Sequence, residues 1–483
     1  MRPRDGPVTP RRFLPSGSVR NRLGDSSTPP AVRRTDWAPV VAIGLAMLVV
    51  TSEANVVAVA LPDIGADLGI DAATTAWVLL AYALPVAALA IPAGRWIDRA
   101  DPRLALVASM IGIGVTSVVA ALAPTLWLLL VARLLQGIAG TLTLAGYLPV
   151  IAATVREDQR GRAIAVVVTL MTIGGLAGTA LGGLVAGALS WRAVFLMKLP
   201  LLAVVLWLSA RAFSRDGRGL PRPGGDLLGE AVVLGGAIAA VLVAVDEVSR
   251  RPAVAAALGV VAVVLGVLWA RMPGARPVIS LVRERRFGFT LAGLFLVCCN
   301  GGLMLFLVPY LTAEVLHRGP EVTGFLLLLH IGAVSAFSPV SGWLADRWGP
   351  HRVAVLGGVL TTGTSLVPLT LGAEAGLFDV GWQLALIGAG FGLFNSPIIT
   401  AVMAAAPPGA AGTAGGVSGT ARMVALTVAP AVTALCWSAT GGGLVGFRSG
   451  VLALVTLQAL GVLALLAVRP PRGPAARAAH PRR

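Results

Sequence analysis

Two charged residues stand in stretches that are otherwise apolar. Glu53 lies about fifteen residues into the first long apolar run, in VVTSEANVVAVALP, and Arg133 about eight residues into the fourth, in RLLQGIAG. If both runs are helices across a ~30 Å apolar layer, Glu53 sits about 22 Å from one face and about 8 Å from the other. Entering from that second face, Arg133 sits about 12 Å deep. The depths agree, so a Glu–Arg pair between the first and fourth runs is geometrically open. Ionisable groups at such depth are costly and mark function by default, although a structural salt bridge is the competing reading. Burial disfavours the charged carboxylate and a neighbouring Arg favours it. A proton or substrate that competes with the Arg would then switch the group between charge states, which is what a coupling site requires.

Other polar groups interrupt the apolar runs. Gln136 shares a helical face with Arg133, and Gly137 and Gly140 beside it let a neighbour approach closely. In the second half Asn300, His330, Asn395, Arg422 and Gln458 lie inside apolar runs, and Gln136, Asn300, His330 and Asn395 are candidates to line a substrate cavity. A lone His in such a run is more often hydrogen-bonded packing than a proton carrier. Lys198, the only lysine in the chain, enters the sixth run from its outer side and is expected to snorkel outward. Cys298, Cys299 and Cys436 have no metal-ligand spacing and read as small packing residues, so no metal site is expected. GAGFG at 388 lacks the strand and later acid of a dinucleotide loop and reads as packing glycine.

The elements that must hold these residues follow from composition. The 483 residues are 56% hydrophobic and 12% charged, with a mean hydropathy of +0.85. A soluble domain carries roughly 25% charged residues, so the chain is an all-α polytopic membrane protein. Continuous apolar runs of ~20 residues argue against a barrel, which would show ten-residue alternation. About fourteen spans are expected: roughly 38–60, 73–93, 104–123, 125–153, 163–189, 193–213, 227–247, 252–271, 287–312, 322–343, 352–372, 380–404, 413–438 and 445–468.

A charged loop repeats between them. GRWIDRADPR carries Gly94, Asp98, Arg99 and Arg103, and GWLADRWGPHR carries Gly342, Asp346, Arg347 and Arg352. Each follows the second span of its half, which implies two related six-helix bundles, 37–213 and 287–468, related by a pseudo-two-fold axis. Between them stand a linker (214–226), two inserted spans (227–271) and a basic segment (272–286). Basic tails at 1–36 and 469–483 complete the chain, the first expected to be disordered.

The formal charge of +16 is concentrated in the tails and in alternate loops, whereas the first intervening loop holds Asp63, Asp67 and Asp71 with no base. That is the positive-inside pattern and not a nucleic-acid surface, and it puts both termini and both repeated loops in the cytoplasm. Arg11-Arg12-Phe13-Leu14 lacks the spacing of a twin-arginine export signal.

In the fifth span Gly174, Gly178 and Gly182 recur every four residues with Gly183 beside them, one smooth face for close helix packing. Together these pieces resemble the major facilitator superfamily, specifically its fourteen-helix drug:proton antiporter branch, from about Trp37 to Val468. The resemblance rests on Glu53 with Val59-Ala60-Leu61-Pro62, Trp77-Val78 and Tyr82, and the two charged loops. It rests also on Arg133-Gln136-Gly137, the fifth-span glycines, Trp191-Arg192 with Phe195, and Arg285-Arg286-Phe287. It implies that Glu53 and Arg133 couple protons, that Trp77 and Tyr82 join the cavity candidates, that the loops gate the cytoplasmic side, and that the fifth-span glycines belong to exporters. Four positions depart from the pattern: Thr179 stands for Pro, Asp101 and Pro102 for a Gly and a base, and Lys198 for Asn.

The reading is a proton-coupled secondary transporter of the inner (plasma) membrane that exports small organic molecules by alternating access. Its partners are the substrate, protons and the lipid bilayer, its energy source is the proton gradient with no cofactor, and a monomer is expected. An uptake permease or uncoupled facilitator is the within-class alternative. A membrane-embedded enzyme would need carboxylates or histidines gathered at one membrane surface, where this chain has its charges in the repeated loops.

Overall fold

The computed structural model describes residues 37–468 apart from 98, 157–158, 213–218, 223, 249–250, 373 and 408–409. Expectations for the two tails, for Asp98 and for 214–218 fall outside the described residues.

The described residues form helices and no strand. In order they are α1 (Ala38–Leu68), α2 (Ala72–Ile97), α3 (Pro102–Ala121), α4 (Leu126–Thr154), α5 (Arg160–Ala188), α6 (Trp191–Leu196), α7 (Leu199–Ala212), α8 (Gly225–Glu247) and α9 (Pro252–Arg271). Then come α10 (Arg276–Arg283), α11 (Arg285–Cys298), α12 (Val308–Tyr310), α13 (Pro320–Trp348), α14 (Pro350–Thr364), α15 (Leu377–Ala405), α16 (Ala411–Ala439) and α17 (Gly443–Leu466). Fourteen stretches among them are long and apolar enough to cross a membrane.

Three of these stretches are interrupted: 191–212, 285–315 and 350–370. Between α6 and α7, Pro200 has no N–H to return to the carbonyl of Leu196, so the helix opens at Met197 and Lys198. In the span 285–315, wide π turns at Leu303–Leu307 and Leu311–Val315 flank Pro309. The first helix runs further than its apolar stretch predicts. It continues through Pro62 to Leu68 and ends at Gly69, whose left-handed φ of 65° closes the last turn. Asp63 and Asp67 are therefore helical, not in a loop, and Asp67 takes a hydrogen bond from Trp191 Nε1 (3.2 Å) and pairs with Arg192 (2.7 Å).

Close helix contacts depend on glycine. A Cβ on Gly174 would strike the Leu48 carbonyl, and one on Gly178 would lie 2.9 Å from Ser52 Cβ. One on Gly182 would lie 3.1 Å from Val56 Cα. Three glycines on α5 thus meet three residues of α1 one turn apart, and two like-directed helices lie backbone to backbone. Gly388, in GAGFG, presses on the His330 carbonyl in the same way, as packing glycine should.

α8 and α9 pack on each other, and α8 also touches α2 and α16. α8 and the chain before it are clasped to the first charged loop: Trp96 Nε1 donates to Pro221 O (2.9 Å), Asp101 N donates to Gly219 O (2.9 Å), and Arg95 pairs with Glu230 of α8. Asp101, one of the departures from the family pattern, caps α3 by accepting from Arg103 N at 2.8 Å.

The two halves meet along α5 and α13 and along α2 and α16. α5 packs on α13 where a Cβ on Gly183 would lie 2.6 Å from Pro320 O and 3.1 Å from Gly324 Cα. Gly342 lies on the same face of α13 as Gly324, about five turns further along, and a Cβ there would meet open space. Gly415, Gly416 and Gly419 on α16 likewise face open space. The molecule is closed at the end bearing Asp63 and Asp67 and open at the end bearing the repeated charged loops.

Candidate functional site

Four helices, α1 to α4, build one buried polar chain. Glu53, on α1, is 1% exposed and Arg133, on α4, is fully buried. Arg133 Nη1 donates to Glu53 Oε2 at 3.1 Å and to Gln136 Oε1 at 2.6 Å, while Nε donates to the Val78 carbonyl of α2 at 3.0 Å. Gln136 Nε2 then donates to Ser117 Oγ on α3 at 2.8 Å, and Ser117 Oγ to Ile113 O at 2.6 Å. Arg133 Nη2 is buried with no hydrogen-bond partner. The guanidinium is covered by the Tyr82 ring, its carbon 4.5 Å from the centroid, and by Phe195 at 5.9 Å. The pairing expected from depth alone is therefore present, with Tyr82 and Gln136 as its walls.

Lys198 corrects the expectation that it would snorkel outward. It is buried and donates to Glu53 Oε1, so the carboxylate holds two cations, one on each oxygen. The break at Pro200 is what brings it there. With the helix open at Met197 and Lys198, the side chain turns inward against Phe195, its Nζ 5.6 Å from the ring centroid. Arg133 is thus not the only strong base at the depth of Glu53. The signal was in the sequence: a single lysine two residues before a proline inside an apolar run.

The second-half candidates do not join this cluster. Asn300 is buried and accepts from Gln458 Nε2 at 3.4 Å, and His330 places Nδ1 3.1 Å from the Leu384 carbonyl. His330 is thus held by the backbone of the neighbouring helix, as packing histidines are. Asn395 is half-buried with Oδ1 unpartnered. Trp77 packs against an apolar cluster of Leu80, Ala87, Ile238, Leu242 and Ala431, shared by α2, α8 and α16. The three cysteines are free, two of them buried.

Of the gating-loop residues, Arg99, Asp346, Arg347 and Arg352 are exposed at the open end, and Arg347 stacks on Trp343 with its guanidinium carbon 3.9 Å from the ring centroid. Gly94 and Gly342 leave open space around them. Among the described residues no three or more His, Cys, Asp or Glu side chains are grouped to hold a metal.

Sequence comparison matches residues 43–430 to the profile of the Major Facilitator Superfamily. The multidrug resistance protein Stp of Mycobacterium tuberculosis is 28% identical over 415 residues, covering 83% of this chain and 76% of that protein. The tetracenomycin C resistance and export protein of Streptomyces glaucescens is 26% identical over 422 residues, covering 85% and 77%. The fold is shared with a bacterial homologue of the human lysosomal transporter Spinster, solved inward-facing and unoccupied. That match has a TM-score of 0.62 at 16% identity over 90% of this chain and 98% of that one.

Proposed function

The chain belongs to the Major Facilitator Superfamily, and from that premise we propose that it exports a small organic molecule against inward proton flow, by alternating access, with the coupling centre at Glu53 and Arg133. The observation that carries the reading is the buried carboxylate. A buried acid held by two cations, on a helix that packs against both α4 and α5, ties a proton or substrate that competes for those cations to the packing of the bundle. Relatives named for drug resistance and for antibiotic export support the direction of transport.

On this reading the open end, with its Arg-rich loops, and both termini face the cytoplasmic side of the plasma membrane. The state described above is then inward-facing, with Gly183 of α5 sealing the far side against α13. The exposed charged loops at the open end close together when the bundles rock to the other state.

Two measurements test this. Cells lacking their own exporters and expressing the chain should lose dyes and antibiotics faster than controls. In proteoliposomes carrying a pH gradient, adding a transported compound should release protons in the wild type and not in Glu53→Gln, which keeps the shape of the side chain and removes its charge. Wild-type release in the variant would move coupling elsewhere. Transport without proton release in either protein would favour an uncoupled facilitator.

A further inference from the structure

The buried cluster carries one negative and two positive groups. Arg133 stays protonated in proteins, so it and the Glu53 carboxylate together are neutral, and the third group leaves the cluster with a surplus charge of one proton. Arg133 keeps its own proton, and Glu53 has a cation against each oxygen, which leaves Lys198 as the cation whose proton can be exchanged.

We propose that the exchanged proton rides on Lys198, with Glu53 as the counter-ion that holds it. The inference rests on the reading of the chain as a proton-coupled transporter. In the step itself one Nζ–H bond of the ammonium breaks, its electron pair stays on nitrogen, and the proton passes to water. The neutral amine regains a proton from water on the other side once the bundles have rocked, and nothing is oxidised or reduced.

The surroundings fit a carrier better than a strut. Of the three side chains only Lys198 keeps accessible surface, 7% against 0% for Glu53 and 0% for Arg133. It is therefore the least enclosed member of the cluster. It sits at the break between α6 and α7, where the backbone is not closed by helical bonding on both sides. The groups that face it are Glu53 from α1, Arg133 from α4 and, behind Arg133, Tyr82 from α2. The helices α3 and α5, packed on the other sides, carry no ionisable side chain over 104–121 and 163–188. Its own span has only Arg192 and Arg211, near its two ends. Neutral Lys198 would leave a balanced Glu53–Arg133 pair, and protonated Lys198 adds one charge beside Arg133, so each state is distinct and neither strands an unpaired carboxylate.

Because Lys198 is the only lysine, the test is direct. Full-length protein labelled with 15Nζ-lysine in nanodiscs gives one side-chain signal, read across the pH range over which proteoliposomes move ethidium or puromycin. The expected result is that this signal changes from ammonium to amine over that range. Lys198→Arg, which preserves a cation against Glu53 but cannot give up its proton, should lose gradient-driven transport by about tenfold or more. A merely structural ion pair would tolerate Arg. An ammonium signal unchanged across the range, or gradient-driven transport by Lys198→Arg at the wild-type rate, would overturn the proposal. If wild-type vesicles move a probe without protons, the coupled reading fails while the nitrogen signal still reports on Lys198 by itself.

Discussion

At the scale of single residues, the site owes its form to desolvation. A buried carboxylate is tolerated only when its lone pairs are filled, and Glu53 fills them from two directions, Arg133 on one oxygen and Lys198 on the other. Arg133 does more than pair, because its Nε holds the Val78 carbonyl of α2 and its Nη1 also reaches Gln136. Arg133→Ala should cost about 3–5 kcal/mol, the usual loss when one partner of a buried pair is removed. The remaining contact from Lys198 argues for the lower end. Arg133→Lys keeps the charge but loses the planar fork, and should cost about 1–3 kcal/mol. Thermal melts of the purified proteins should rank wild type above Lys above Ala; a Lys variant as unstable as Ala would mean that charge contributes nothing here.

At the scale of elements, glycine decides how α1, the helix that carries Glu53, is held. Gly174, Gly178 and Gly182 meet Leu48, Ser52 and Val56 at successive turns, and the clearances widen along the series. A methyl group at Gly174 meets backbone that cannot turn aside, whereas at Gly182 a shift of a few tenths of an ångström suffices. Gly174→Ala should therefore destabilise by about 1–3 kcal/mol and Gly182→Ala by less, with Gly178→Ala between them. Melting temperatures in detergent test the order, and a reversed order would mean that α1 and α5 are not in close contact in the dominant state. The same reasoning accounts for Lys198. The sequence showed the lysine and the proline separately, but only the broken helix turns one toward Glu53.

At the scale of the whole molecule, the decisive feature is where the two halves touch. Gly183 and Gly324 meet at one end, while Gly342, Gly415 and Gly416 face open space at the other. Gly183→Ala places a methyl against the Pro320 carbonyl and should push the equilibrium toward the opposite state by about 1–2 kcal/mol. A cysteine at position 415, labelled with a membrane-impermeant maleimide, should react from the cytoplasmic side in inside-out vesicles. The rate should fall several-fold when Gly183→Ala is added. Labelling from the external side instead would reverse the orientation drawn from the Arg-rich loops.

Composition and periodicity determined the membrane class, the number of spans, the repeated charged loops and the agreement in depth between Glu53 and Arg133. These are properties of single helices in an apolar solvent, set by how many residues cross it and which of them dislike it. The tertiary structure decided what depends on two elements meeting. It placed Lys198 on the second oxygen of Glu53, because a helix break changes where a side chain points and leaves hydropathy unchanged. It set His330 against a backbone carbonyl and Trp77 against an apolar cluster, because their neighbours come from distant helices. It also chose which end is shut, because both states use the same helices and differ only in where two bundles touch.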